Sequence, residues 1–153
     1  MRSLQITDWC HAVFQTFVLR DGVYVDATMG KGRDTLFLCR LILCGHEHMD
    51  RYLAPESVDG ICFNFGYLPG GDHRIVTQAE TSVAAVEQGL RLLKPGGVMS
   101  LCIYSGGDTG FAEKEALLGY LKKLPSEAYT VILSPYYNRR GDPPLPVFVF
   151  RQK

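Results

Sequence analysis

The chain has 153 residues, of which 46% are hydrophobic and 21% charged, a composition typical of one globular domain. Its 16 Lys and Arg residues balance 16 Asp and Glu residues, so any contact with nucleic acid has to come from a local basic patch. The first residues lack the apolar core of a signal peptide, and no apolar run reaches membrane-spanning length. Five cysteines without a C-x-x-C pair favour reduced core thiols in a cytoplasmic protein over a zinc site.

The apolar periodicity predicts helices and strands in alternation along the chain. Asp8 is placed to cap a first helix, and the K-P-G-G sequence is typical of the end of a long one. We therefore expect one α/β domain over residues 1–153, with a doubly wound, mostly parallel sheet closed by an antiparallel carboxyl-terminal strand pair. The predicted elements are a helix at about 8–19, a strand at 23–27, a helix from Asp34, a short helix at 47–53, a strand at 58–63, a helix at 77–93, a strand at 98–104, a helix at 110–124, and strands at 130–134 and 147–151.

One junction departs from this architecture. A strand–helix–strand unit needs about thirty residues, but the stretch from Val23 to His46 holds only one strand, one helix and a short stub. Either the protein has lost a second strand and the helix after it, or a segment is missing from the sequence near 42–45. The second explanation is favoured, because a real loss would leave a sheet face uncovered.

The first candidate motif is V-D-A-T-M-G-K-G-R-D-T, which follows the predicted strand at 23–27. Gly30 and Gly32 allow a ligand to approach the backbone closely, and the following helix start offers unpaired N–H groups. Asp26 is suited to accept a hydrogen bond from an amine. Thr35 occupies the last glycine position of the dinucleotide fingerprint, which disfavours a nicotinamide-dependent oxidoreductase. A tight structural turn is the alternative interpretation of the same residues.

The second candidate motif is N-F-G-Y-L-P-G-G-D-H, residues 64–73, which directly follows the strand at 58–63. An Asn side chain offers both an acceptor and a donor, which suits a site that holds an amine in a fixed orientation. Tyr67, Asp72 and His73 add an aromatic face, a carboxylate and an imidazole. The alternative is a Gly-Pro turn without a functional role.

Two smaller features complete the list of candidates. The H-x-H pair of His46 and His48 lacks a third metal ligand in the sequence, so a capping or pocket role is favoured, and His11 is interpreted as an ordinary helix residue. The closing hairpin loop places Arg139 and Arg140 beside two tyrosines. Basic and aromatic side chains together can bind phosphates and stack on bases, although a solvated loop is the alternative.

These motifs, with the G-H-E-H-M segment and the late N-R-R-G-D-P-P-L segment, together resemble the class I methyltransferase family of rRNA methylases, which includes bacterial tRNA (5-aminomethyluridine-34) methyltransferases. The resemblance covers nearly the whole chain from about His11. It implies a Rossmann-like sheet that binds S-adenosylmethionine over the first turn and releases S-adenosylhomocysteine. Lys31 and Arg33 stand where the family usually has Asn and His. The second strand, whose acidic residue would bind the cofactor's ribose, has no counterpart in this sequence.

The resemblance implies that the enzyme N-methylates the aminomethyl group of a modified wobble uridine in tRNA, without a metal and with a homodimer as a possible assembly. Asn64 would accept hydrogen bonds from the N–H groups of the amine, and Asp72 or His73 would remove a proton from it. The alternative is a non-catalytic nucleotide- or RNA-binding domain that has lost its cofactor. The implied catalytic residues are Asn64, Tyr67, Asp72 and His73; the implied cofactor-binding residues are Asp26, Thr28, Gly30, Gly32, Asp34, Thr35, Gly45, His46, Asn64 and Phe65; the implied RNA-binding residues are Arg74, Arg139 and Arg140.

Overall fold

The structure is a computed structural model that describes residues 5–17, 21–28, 45–66, 77–105 and 107–153. Every helix in these ranges is too short or too polar to cross a membrane. The elements are α1 (Ile6–Gln15), β1 (Tyr24–Asp26), a 3₁₀ helix (His46–Arg51), β2 (Val58–Phe65), α2 (Ala79–Leu92), β3 (Leu93–Ile103), α3 (Gly107–Leu121), β4 (Tyr129–Leu133) and β5 (Leu145–Arg151).

The described strands form one sheet in the order β1-β2-β3-β5-β4. Strands β1, β2 and β3 run parallel, and β5 pairs antiparallel with both β3 and β4. The carboxyl ends of the three parallel strands therefore meet at one edge of the sheet. This arrangement confirms the predicted Rossmann-like sheet with an antiparallel carboxyl-terminal pair. The predicted helix from Asp34 and the expected gap near 42–45 lie outside the described residues or at their margin.

The first helix differs from its prediction. It begins at Ile6, and its N-cap residue Gln5 makes no side-chain capping bond, so the predicted cap at Asp8 is wrong. Asp8 lies instead in the first turn, where a carboxylate interacts favourably with the helix dipole. Trp9 stays 36% exposed because the face that packs on the sheet carries Ile6 and Cys10.

The K-P-G-G sequence ends α2 as predicted, but the chain then enters β3 without a separate loop. Val58 pairs with Leu93 and Gly60 pairs with Val98, so the extra residues form a bulge at the start of β3. Gly96 has a φ of +82°, a conformation that L residues rarely adopt. Strand β3 therefore begins five residues earlier than the predicted position.

Helices cover the sheet on both faces. The larger core lies between the sheet and the pair α2–α3, and it includes the stacked rings of Phe63 and Phe65, whose centroids are 5.0 Å apart. Helix α1 covers the other face, where a smaller cluster forms around Cys10, Cys102 and Phe148. The buried positions of Cys10 and Cys102 confirm that these two cysteines are core residues.

Gly60 on β2 allows α1 to lie close to the sheet. A Cβ atom at this position would be 2.4 Å from Cζ of Phe14, a distance that real Cβ atoms essentially never show. The Phe14 ring also packs edge-on against Tyr24 of β1, with centroids 5.8 Å apart. At its amino-terminal half, α1 is joined to the end of β4, because Trp9 Nε1 donates a hydrogen bond of 3.0 Å to Ser134 Oγ. The helix is thus fixed at two points over the sheet.

Candidate active site at the carboxyl ends of the parallel strands

Thr28 joins the ends of β1 and β2. Its hydroxyl oxygen accepts a hydrogen bond from the backbone N–H of Asn64, and its own N–H donates to Asp26 Oδ1 at 3.1 Å. The neighbouring backbone hydrogen bond, from Ala27 N–H to the Cys62 carbonyl, is 2.9 Å long. These bonds hold Asp26, Thr28 and Asn64 together at the sheet edge, so the structure brings together three of the predicted site residues.

Asn64 carries an unsatisfied acceptor. Its side-chain oxygen Oδ1 is buried, and it has no hydrogen-bond partner among the described residues. Asn64 alternates along β2 with Phe63 and Phe65, whose side chains enter the larger core. The Asn64 side chain therefore lies on the α1 face, away from that core. A buried amide oxygen without a partner is costly unless a ligand supplies the hydrogen bond, so this atom fits a group that carries N–H donors.

A small cleft lies between α1 and the strand ends. Asp26, Thr28 and Asn64 line its strand side, and Thr7 and His11 line its helix side. The space inside holds about one water-sized group. Polar residues are therefore concentrated where α1 crosses the strand ends.

His46 lies on the opposite face of the sheet from this cleft. Its ring makes edge-on contacts with Phe63 and Phe65, with centroids 6.2 Å and 6.0 Å apart. Burial lowers the pKa of His46, while the negative charges of Glu47 and Glu113 act in the opposite direction. The imidazole is therefore uncharged at neutral pH, and it offers a ring face and hydrogen-bonding nitrogens at the edge of the core.

Two hydrogen bonds join Gly66, in the predicted acceptor segment, to Thr77 beyond it. Gly66 N–H donates to Thr77 Oγ1 at 2.7 Å, and Thr77 N–H donates to the Gly66 carbonyl at 3.2 Å. Gly66 has a φ of +128°, and a Cβ there would be 3.0 Å from Cβ of Tyr104. Glycine is thus required where the chain leaves β2, in agreement with the predicted break after the strand.

The remaining predicted residues divide into two groups. Gly45 is exposed at the start of the 3₁₀ helix, and the fully buried Phe65 side chain leaves only its backbone for a ligand. The residues that lie outside the described part of the chain are Gly30, Gly32, Asp34 and Thr35 of the donor motif, Tyr67, Asp72 and His73 of the acceptor motif, and Arg74.

The described hairpin loop holds the two remaining arginines. Arg139 and Arg140 are exposed, and the Arg139 guanidinium lies 4.0 Å above the centre of the Tyr136 ring. Tyr136 itself packs against the cluster beneath α1, and Tyr137 beside it is fully exposed. The loop therefore presents cationic and aromatic groups together, as predicted.

One buried polar pair was not predicted from the sequence. Glu113 on α3 is 1% exposed, and its Oε1 accepts a 2.5 Å hydrogen bond from the Ser82 hydroxyl of α2. The helical spacing of α3 shows only that this position faces inward, and its partner is 31 residues away. Within the described ranges, no three His, Cys, Asp or Glu side chains are grouped so that they could hold a metal ion.

The fold and the polar edge define the class of the protein. Three parallel strands with an antiparallel pair, helices on both faces and a polar site at the strand ends are the architecture of class I methyltransferases. Residues 26–150 match the family described as "Putative rRNA methylase", and the chain belongs to this methyltransferase family.

Two solved structures are similar over nearly the full chain. One, from Clostridium thermocellum and described as a putative rRNA-methylase, is 31% identical and covers 99% of this chain and 100% of that one, with a TM-score of 0.92. Another, a putative methyltransferase from Streptococcus mutans in complex with SAH, is 26% identical and covers 98% and 99%, with a TM-score of 0.87.

A curated relative is the chloroplastic tRNA (mnm(5)s(2)U34)-methyltransferase of Arabidopsis thaliana. It is 28% identical over an alignment of 192 positions, and this alignment covers 96% of this chain and 69% of the plant protein. Because this chain has only 153 residues, at least 39 of the 192 matched positions have no counterpart in it. The relative is thus longer within the matched region.

Proposed function

We propose that this protein is an S-adenosylmethionine-dependent methyltransferase that N-methylates a primary amine on RNA, namely the aminomethyl group of a modified wobble uridine in tRNA. The observation that carries the proposal is the buried, unsatisfied Oδ1 of Asn64 beside Asp26. An amide oxygen at this edge accepts an N–H bond from an amine and thereby orients the nitrogen lone pair. The activity of the plant relative and the SAH bound in the Streptococcus structure support the assignment.

The residues at the edge fit the cofactor and have separate roles. S-adenosylmethionine, when bound, supplies an electrophilic methyl group. The carboxylate of Asp26 suits the amino group of its methionine part, and Thr28 keeps that carboxylate and Asn64 in register. His46 is uncharged and packed against aromatic rings, so it would hold the uncharged adenine. The glycines of the donor motif and the segment 67–73 complete the proposed site.

The RNA is proposed to bind at the hairpin loop. Arg139 and Arg140 would pair with phosphates, and Arg139 is already oriented by Tyr136. Replacing both arginines by Ala should weaken binding of an anticodon stem-loop and reduce the slope of log K against log salt by about 0.7 for each lost phosphate contact. The matched control is Lys122→Ala with Lys123→Ala, at the end of α3 near the opposite edge of the sheet. Equal salt slopes in the two double variants would contradict the assignment.

The activity is tested on an anticodon stem-loop that carries 5-aminomethyluridine at the wobble position. Mass spectrometry of the digested RNA should show the methylaminomethyl nucleoside, and a stem-loop with unmodified uridine should stay unmethylated. The Asn64→Ala variant should lose about 100-fold or more in kcat, while its SAH affinity, measured by calorimetry, stays within about threefold. Wild-type turnover by this variant would show that Asn64 is not the amine acceptor.

The length difference from the plant relative favours one second candidate. At least 39 aligned positions have no counterpart in this chain. The second candidate places part of this difference at the expected gap near 42–45, where the ribose-binding strand would be lost. The alternative function is then an RNA-binding member of the family that has lost cofactor binding. Calorimetric titration with S-adenosylmethionine separates the two candidates, because the absence of heat from a chain that still binds the stem-loop would favour the alternative.

A further inference from the structure

His11 lies opposite Asn64 across the cleft. The helix that carries it is fixed over the sheet by the Phe14 ring packed at Gly60 and by the hydrogen bond of Trp9 to Ser134. His11 is thereby placed with Asp26 and Asn64 around one small space, although 53 residues separate it from Asn64 in sequence. The prediction that His11 is an ordinary helix residue does not account for this position.

The cleft has the chemistry of a primary-ammonium subsite. Its space holds about one water-sized group, which is also the size of an ammonium head. Asn64 contributes a buried acceptor without a partner among the described residues. The carboxylate of Asp26, proposed above to hold the cofactor's amino group, adds negative charge beside it. A primary ammonium titrates like a lysine, near 10, so it enters the cleft protonated at neutral pH. A protonated nitrogen has no lone pair, and methylation therefore requires a group that takes the proton away.

We propose that His11 is that proton acceptor, an inference that rests on the function proposed above. One N–H proton of the bound ammonium moves to a ring nitrogen of His11, directly or through one water. The step leaves a neutral amine and a positively charged imidazolium. One remaining N–H of the amine donates to Asn64 Oδ1, which orients the nitrogen lone pair. An imidazole is the side chain that most often acts as a general base, because an unprotonated ring nitrogen accepts the proton.

The groups around His11 favour the charge that this step creates. Across the cleft, the carboxylate of Asp26 stabilises an imidazolium. The Cys62 and Cys102 thiols of β2 and β3 line the same space. On its own helix, Asp8 lies one turn before His11. No described cationic side chain lines the cleft to oppose the transfer.

The proposal is tested by the pH profile of methyl transfer by His11→Gln and His11→Asn. The matched control is His48→Gln, at a histidine whose side chain is 42% exposed. Both His11 variants should lose about 100-fold in kcat/KM at pH 7 and recover towards wild type near pH 9.5, where the amine begins to lose its proton unaided. Their SAH affinity should stay within about threefold.

The outcomes separate this inference from the proposed function. A wild-type protein without SAH binding or methyl transfer overturns the proposed function, and this inference with it. An active wild type whose His11 variants keep the wild-type pH profile overturns only the role of His11. A loss of SAH affinity of about tenfold or more with an unchanged profile would show instead that His11 holds the cofactor.

Discussion

The two faces of the sheet are built from the same strands and differ in almost every other respect. Under α2 and α3 the strands bury Ile61, Phe63 and Phe65 in a continuous apolar layer. Under α1 the intervening positions of β2, Cys62 and Asn64, border a small cleft that Asp26 and His11 also line. Because strand side chains alternate between faces, β2 supplies packing to one helix layer and chemistry to the other. Stability and function are therefore assigned to neighbouring residues, and substitutions can separate them.

The largest expected effect compares two adjacent residues. Phe65→Ala removes a fully buried ring that stacks on Phe63, and it should lower the free energy of unfolding by about 3–5 kcal/mol. Asn64→Ala removes an unsatisfied buried acceptor and should change that free energy by less than about 1 kcal/mol. Urea denaturation measures both. An Asn64→Ala variant destabilised as much as Phe65→Ala would show that the two faces do not divide their roles.

A smaller effect is expected where α1 meets the sheet. Gly60→Val places methyl groups in the space of the Phe14 ring and should cost about 1–3 kcal/mol by overpacking. Because the displaced helix carries His11, methyl transfer should fall as well. The double variant Gly60→Val with Phe14→Ala should recover part of the lost stability through their coupling. Strict additivity of the two single variants would contradict the close packing at this point.

The smallest effect concerns His46 and pH. Burial lowers its pKa from the ordinary 6.5, so below pH 6.5 the unfolded chain binds more protons than the folded chain. The contribution of His46 to the free energy of unfolding is therefore fully present above pH 6.5. It is lost as the pH falls towards the pKa of His46 in the folded protein. His46→Gln should flatten the decrease in urea midpoint between pH 7.5 and 5.5. The His48→Gln variant, at a histidine more exposed than His46, should keep the wild-type slope. Equal slopes for both variants would contradict the assignment.

Local pattern was sufficient to predict most of the sheet, since the alternation and the K-P-G-G stop describe short-range preferences. The same pattern predicted that β2 ends at Phe63, because Asn is unusual in strands. Pairing with β3 extends the strand through Asn64 to Phe65. Asp26, Thr28 and Asn64 were predicted to lie close together and do so. The position of His11 was not predicted, because it depends on contacts of α1 with Gly60 and Ser134, far away in sequence.

Helix α1 is synthesised long before its partners, since Trp9 and Ser134 are 125 residues apart in the chain. Trp9 bonds to Ser134, Cys10 lies in one cluster with Phe148, and Phe17 packs on Phe150 with centroids 5.1 Å apart. A ten-residue helix is marginal in water on its own. On the ribosome, these partners do not exist until β4 and β5 have been made. The helix that carries His11 therefore takes its place over the sheet only after β5 has been made.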